Sequence, residues 1–283
     1  MAQRSSRALP KLALLSLLAA APSACTAGGK TDDATSAKSD RLPLLAGQRL
    51  PAVAGVPLRE GTLIQASSTE LVFDGERLAG FDDGLVAPAH VDAHLIGSLH
   101  ERLSKEAEAQ RTRLEHDSDE WRGRVLLALD GRLRFGALVD LLYTTGRAGF
   151  LEADLLVAPK AGDEQAIPLQ TARDYPAVHQ PRLHVFISDQ GYRVRRPGDH
   201  QPLEVAKLDD HGQDPEAWDQ VRLATLAGDL FALQPLTHIA LSADRDVRLE
   251  VFAATLVVLL GVDCRQHELR DCPPPEVFIE AAG

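Results

Sequence analysis

Residues 128–142 read ALDGRLRFGALVDLL, and residues 242–256 read SADRDVRLEVFAATL. Aligned at a spacing of 114 residues, Asp130 falls on Asp244, Leu133 on Val247 and Arg134 on Arg248. Phe135 then falls on Leu249, Ala137 on Val251 and Leu138 on Phe252. Each copy starts as the end of an apolar run, turns at an aspartate and continues with helical spacing of its apolar residues, the pattern of a strand, a tight turn and a helix.

The same elements surround both copies. Upstream of the first, TLIQASSTELVFDGERLAG shows apolar runs broken by Asp74-Gly75, a turn between antiparallel strands. VDAHLIGSLHERLSKEAEAQRTRLEH then places Leu95, Leu99, Leu103 and Ala107 on one helical face, with Asp92 as the N-terminal acid. RVLLAL is a short buried strand, Phe135 opens a second helix, and ADLLVAP is a last strand. Upstream of the second copy, LHVFISDQGYRVR reads as a hairpin turning at Asp189–Gly191, and PEAWDQVRLATLAGDLFAL as a helix. HIALSA, RLEVFAATLVVLLG and EVFIE complete the set. A fixed-period recurrence of this length, with the same element order around it, points to a duplication. The expected class is α+β, with two tandem β-β-α-β-α-β modules, each a small mixed sheet with helices on one face. Expected boundaries are 61–159 and 182–283, with 160–181 as a linker rich in Pro, Gln and Asp.

The 283-residue length suits two such units, and the formal charge of -11 disfavours nucleic acid as a partner. Arg4, Arg7 and Lys11 precede LALLSLLAAAPSA, a charged start and an apolar run of secretory-signal length, too short for an easy span of ~20 residues. Residues 1–24 are therefore read as a signal peptide. Cys25 follows in APSAC, which resembles a bacterial lipobox with Pro22 where the pattern has Leu. Lipid on Cys25 would anchor the chain without spanning the bilayer; cleavage nearby, leaving a soluble chain, is the alternative. Residues 25–60 are small, polar or Pro/Gly-punctuated and are expected to form a flexible tether. Export brings an oxidising compartment, where Cys264 and Cys272 are expected to form a disulfide worth about 2–3 kcal/mol. The rival, a metal site with His267, lacks a fourth ligand.

RVLLALDGRLRFGALVDLLYTTGRAGFLEADLLV resembles the periplasmic domain of the ExbD/TolR biopolymer-transport family. The features shared are the strand Val125–Leu129, the acidic turn at Asp130, the apolar helix Phe135–Tyr143, Ala148-Gly149 and the strand Leu155–Val157. ELVFDGERLA resembles that family's hairpin, and HIALSADRDVRLEVFAATLVVLLG matches more loosely. The resemblance implies an envelope protein that works with ExbB/TolQ-like or TonB/TolA-like proteins or peptidoglycan, on the periplasmic side of a membrane. The family's domains tend to pair, so two copies on one chain either pair intramolecularly or stand as two independent units joined by the linker. Family members carry a membrane span with one proton-accepting aspartate. Between Ala8 and Ala24 this chain has no Asp or Glu, so proton coupling is not expected of it.

Candidate chemistry is sparse. His90 and His94 in AHVDAH would share a helix face if a helix covered both, but a third metal ligand is not evident. Asp130 and Asp244 are either partner-binding carboxylates or turn residues accepting backbone N–H bonds. Arg193, Arg195 and Arg196 in YRVRRPGDH form a small basic run suited to an acidic partner or a plain soluble strand edge. No GxSxG elbow or Gly-rich phosphate loop is present, and no cofactor or catalytic residue is expected. The leading expectation is a non-enzymatic envelope lipoprotein accessory to a biopolymer-transport system. The alternatives are a membrane-anchored stator subunit of a proton-driven complex and a metal-dependent periplasmic enzyme.

Overall fold

In the computed structural model, residues 42–113, 121–159, 163–171, 181–210, 212–233, 236–262 and 275–280 are described. The first half begins with β1 (Thr62–Ala66), β2 (Glu70–Phe73), β3 (Glu76–Asp82) and β4 (Leu85–Val86). A small separate hairpin, β5 (Val91–Asp92) and β6 (Leu95–Ile96), leads into α1 (Gly97–Arg113). Then come β7 (Gly123–Leu129), α2 (Phe135–Arg147), β8 (Phe150–Val157) and β9 (Gln165–Thr171). The second half runs β10 (Arg182–Ser188), β11 (Gly191–Arg195), β12 (Leu203–Ala206), α3 (Gln220–Leu233), β13 (His238–Ala243), α4 (Leu249–Leu260) and β14 (Glu276–Ile279).

The strands do not form two small sheets. They form one twelve-stranded mixed sheet in the order β12-β11-β10-β13-β14-β9-β8-β7-β1-β2-β3-β4. The expected pair of self-contained β-β-α-β-α-β modules is thereby overturned. The cause is β9, which lies in the stretch 160–181 expected to be a linker. It pairs antiparallel with β8 from Ala153↔Leu169 to Val157↔Gln165, and parallel with β14 at Phe278↔Gln170 and Ile279↔Thr171. Pro168 obscures this strand in the sequence, because proline cannot donate to a ladder. It sits opposite Asp154, between the bridge from Val56 to Ala166 and the start of the pairing to β14. Ala166, Ile167 and Leu169 are buried, as a central strand requires.

The order of elements around β7 and β13 still recurs. β1 runs parallel to β7, ending at Ala66↔Leu129, and β10 runs parallel to β13, ending at Ile187↔Ala243. Asp130 N–H donates to Ala66 O, and Asp244 N–H to Ile187 O. Asp74 and Gly75 both have positive φ, 51° and 74°, as their two-residue turn demands.

The two halves meet at the turns that follow β7 and β13, and they meet reciprocally. Phe135 N–H donates to Val247 O while Leu249 N–H donates to Leu133 O, both at 2.7 Å. Gly136 N–H donates to Arg245 O while Glu250 N–H donates to Gly131 O, both at 3.0 Å. At the 114-residue spacing every one of these bonds maps onto its partner, the signature of an isologous contact made inside one chain. The bonds also answer a local need. Neither α2 nor α4 has a side-chain N-cap. Their first N–H groups, which a helix cannot satisfy internally, are taken by carbonyls of the other half's turn. Phe135 and Phe252 pack across the seam at 4.7 Å between ring centres. One apolar cluster accordingly runs from Ile64 to Ile279 through both halves.

The face of the sheet away from the helices is covered, over the first half, by residues 42–60. This arm was expected to be a tether. Its Leu42, Leu44 and Leu50 instead pack with Leu63, Leu126, Ala128 and Leu156. Val56 bridges Ala166, and Arg59 reaches the buried Asp154 at 2.6 Å. The Pro and Gly residues that suggested a loose chain carry it over the strand ends.

Candidate interaction sites at the strand ends

The parallel strands β7 and β13 are each followed by an aspartate, Asp130 and Asp244, and the two carboxylates have different surroundings. Asp130 is fully buried. Its carboxylate accepts from Arg49 N–H at 3.0 Å, Arg132 N–H at 2.9 Å, and Arg132 Nε and Nη2 at 2.8 and 2.7 Å. Burial pushes its pKa up, but the Arg132 side chain and the two backbone donors outweigh that and hold it below the ordinary value. Asp130 accordingly accepts the backbone N–H groups of its own turn and of the arm.

Asp244 has no such partners. At the position of Arg132 the second half carries Asp246, an acid. Among the described residues no group donates a hydrogen bond to the Asp244 carboxylate. Burial raises its pKa, Arg193 opposes this, and Asp189 and Asp246 add to it. The residue lines a cleft of about 350 Å³ with Ser188, Asp189, Gly191, Arg193 and Glu204.

The arginines of YRVRRPGDH have different surroundings. Arg193 and Arg195 are exposed on β11, while Arg196 is tied to Asp199 at 2.6 Å. The Arg193 guanidinium lies 4.5 Å over the Phe186 ring, and Arg193 is directly opposite Glu204 on β12. Nearby His184 is half-buried on β10, with its pKa lowered by burial and by Arg182 and Arg195 against the pull of Glu280. Below about pH 6.5 the unfolded chain takes up a proton that folded His184 resists, so this residue makes stability fall on acidification. Urea midpoints at pH 7 and pH 5 are expected to differ less in His184→Gln than in the wild type. An unchanged difference would assign the pH dependence elsewhere.

His90 and His94 do not share a helix face. The helix starts at Gly97, and the preceding residues form the β5–β6 hairpin, turning at Ala93 and His94 with φ of 43° and 72°. Among the described residues no group of three or more His, Cys, Asp or Glu side chains is placed to hold a metal ion. His94 has a different partner, which sequence reasoning missed. Its Nδ1 lies 2.7 Å from Oδ1 of Asp140, a buried carboxylate on α2 that also accepts from Arg245 Nη2 at 3.0 Å. Arg245 Nη1 lies 3.2 Å from the same Nδ1, so imidazole, carboxylate and guanidinium form one cluster. Thr144 Oγ1, accepting from Ile96 N–H at 3.0 Å, secures the same hairpin to α2. The cluster therefore joins three separate pieces of chain, from positions 94, 140 and 245. Asp140 reads in the sequence as a polar break in an apolar helix, and nothing local shows that Arg245 comes to meet it.

Cys25, Cys264, Cys272 and His267 lie outside the described residues, as do the expected lipidation and disulfide. Among the described residues no helix is long and apolar enough to cross a membrane. Compared with known proteins, the chain matches no protein-family model, no curated protein and no solved structure.

Proposed function

We propose that the chain is a non-enzymatic interaction protein of the cell envelope. In this reading lipid on Cys25 holds it on the periplasmic side, where it serves a biopolymer-transport system of the ExbD/TolR kind. The observation that supports this most is the reciprocal seam. In the family it resembles, periplasmic domains tend to pair between chains, and here equivalent turns satisfy each other's helix termini within one chain. A second support is the use of the buried acids. Asp130, Asp140 and Asp154 are each held by an arginine, at 2.7, 3.0 and 2.6 Å, which suits a rigid platform. Its proposed partners are ExbB/TolQ-like or TonB/TolA-like proteins or peptidoglycan.

The test is extraction of the full-length protein from its native membranes in mild detergent, with mass spectrometry of its N-terminal fragment and of everything co-purifying. Acyl chains on Cys25 together with envelope-transport components are the expected result. An intact Met1 terminus bound to a polytopic proton-channel protein would replace this reading with a stator subunit. Stoichiometric zinc would replace it with a metal enzyme.

A further inference from the structure

The two halves differ most at the ends of their parallel strands, and the first half shows what the second lacks. In the first half the arm passes over the ends of β1 and β7. Gln48 Nε2 donates to Ala66 O at 3.1 Å and to Ala128 O at 2.6 Å. Arg49 N–H donates to the Asp130 carboxylate, and Arg49 O accepts from Gly131 N–H at 2.7 Å. In the second half the matching groups are Ile187 O, Ser242 O, the Asp244 carboxylate and Arg245 N–H. Among the described residues no side chain donates to either carbonyl, and nothing bonds the carboxylate or that N–H. The open cleft lined by Asp244, Ser188, Arg193 and Glu204 adjoins these groups on the side of β11 and β12.

Among the described residues this half has no arm at the matching place. Gln48 precedes the start of β1 by fourteen residues; fourteen residues before β10 lies Pro168, which is built into β9 opposite Asp154. No described residue takes the place of Gln48 there, so these groups are open to an occupant. It must bring a cation. In the first half Arg132 neutralises Asp130, whereas in the second Asp189 and Asp246 add negative charge around Asp244, Arg193 opposes them, and Arg134 Nη1 donates to the backbone carbonyl of Asp246.

We infer that the cleft at Asp244 binds an extended, basic peptide segment of a partner protein, in the manner of residues 46–51 on the first half. Its backbone N–H would donate to the Asp244 carboxylate, an amide side chain to the Ile187 and Ser242 carbonyls, and an arginine or lysine would sit among the three acids. Main-chain bonds supply affinity in such a mode and the charged contact supplies selectivity. The inference rests on the interaction-protein reading, whose own test is extraction from the membrane; the binding assay is independent of lipid and of the transport partner.

The probe is a fluorescent peptide of sequence AGQRLP, titrated into the full chain and followed by anisotropy. Saturable binding is expected, weakened at least about tenfold in Asp244→Asn through loss of a charge-assisted contact. Asp246→Arg installs the cation that the first half already has. It is expected to abolish binding while leaving circular dichroism unchanged, which separates site closure from misfolding. Binding that is absent in the wild type, or equal in Asp246→Arg, overturns the inference. Binding that appears only after residues 1–40 are removed would instead make the occupant this chain's own N-terminus. Displacement of the peptide by calcium alone at stoichiometric amounts would make the site a cation site.

Discussion

Asp130→Ala is expected to lower stability by about 3 kcal/mol, because it strips the acceptor from two backbone N–H groups and a guanidinium at about 1–3 kcal/mol per orphaned buried donor. Those donors are Arg49 N–H, Arg132 N–H and the Arg132 side chain, so the variant also loosens the arm over the sheet. Asp244→Ala, at the equivalent position, is expected to cost less than about 1 kcal/mol, since no hydrogen bond to that carboxylate is lost. The two differ in pH dependence as well. Folding lowers the Asp130 pKa, so its contribution is present above about pH 4 and is lost as the pH falls through the folded value. Folding raises the Asp244 pKa, so the wild type gains from its protonation in acid and loses that gain as the pH rises through the folded value. Urea midpoints of both variants at pH 7 and pH 4 read both effects. Equal costs at pH 7 would mean that the two aspartates hold the same structural role.

Phe252→Ala is the second large effect, expected to cost about 3–5 kcal/mol as a fully buried aromatic truncated to a cavity. Its ring packs on Phe135 across the seam, so the loss falls on both halves. The apolar cluster is continuous, and each half's turn caps the other's helix. The chain is therefore expected to unfold in one transition, and the variant to shift that transition without splitting it. The tryptophans make this measurable, since Trp121 belongs to the first half and Trp218 to the second. Single-tryptophan proteins made by Trp121→Phe and Trp218→Phe should report a common cooperative unfolding, each with one urea midpoint that agrees with far-ultraviolet circular dichroism of the same variant. Fluorescence and circular dichroism midpoints that part company would show two independently folding halves.

The seam also explains residues that look mismatched when the repeat is aligned. Gly131 falls on Arg245 and Gly136 on Glu250. In the fold Gly131 faces Glu250, and a Cβ there would sit 3.2 Å from that of Glu250; a Cβ at Gly136 would meet Leu85 Cδ2 of its own half at 2.7 Å and Arg245 Nε at 3.0 Å. At Gly131 a small residue of the first half thus makes room for a long one of the second, while Gly136 is required by Leu85 as well as by Arg245.

Local pattern was enough for the strand, aspartate turn and helix around residues 128–142 and 242–256, and for the Asp74-Gly75 turn. These depend on apolar periodicity and on backbone conformations that few residues adopt, both of which are properties of adjacent residues. The hairpin at Ala93 and His94 escaped because neither residue announces a positive φ. The single sheet, the arm on its outer face and the Asp140–His94–Arg245 cluster were decided by tertiary structure alone. Pro168 argues locally against a strand, and the prolines and glycines of 42–60 argue locally for a loose chain. Each is overruled by partners far along the sequence: Leu155 and Ile279 for β9, Ala66 and Asp130 for the arm, residue 245 for Asp140. Pairing and burial between distant segments carry the larger free energies here, and a single pass along the chain holds no record of which segments will meet.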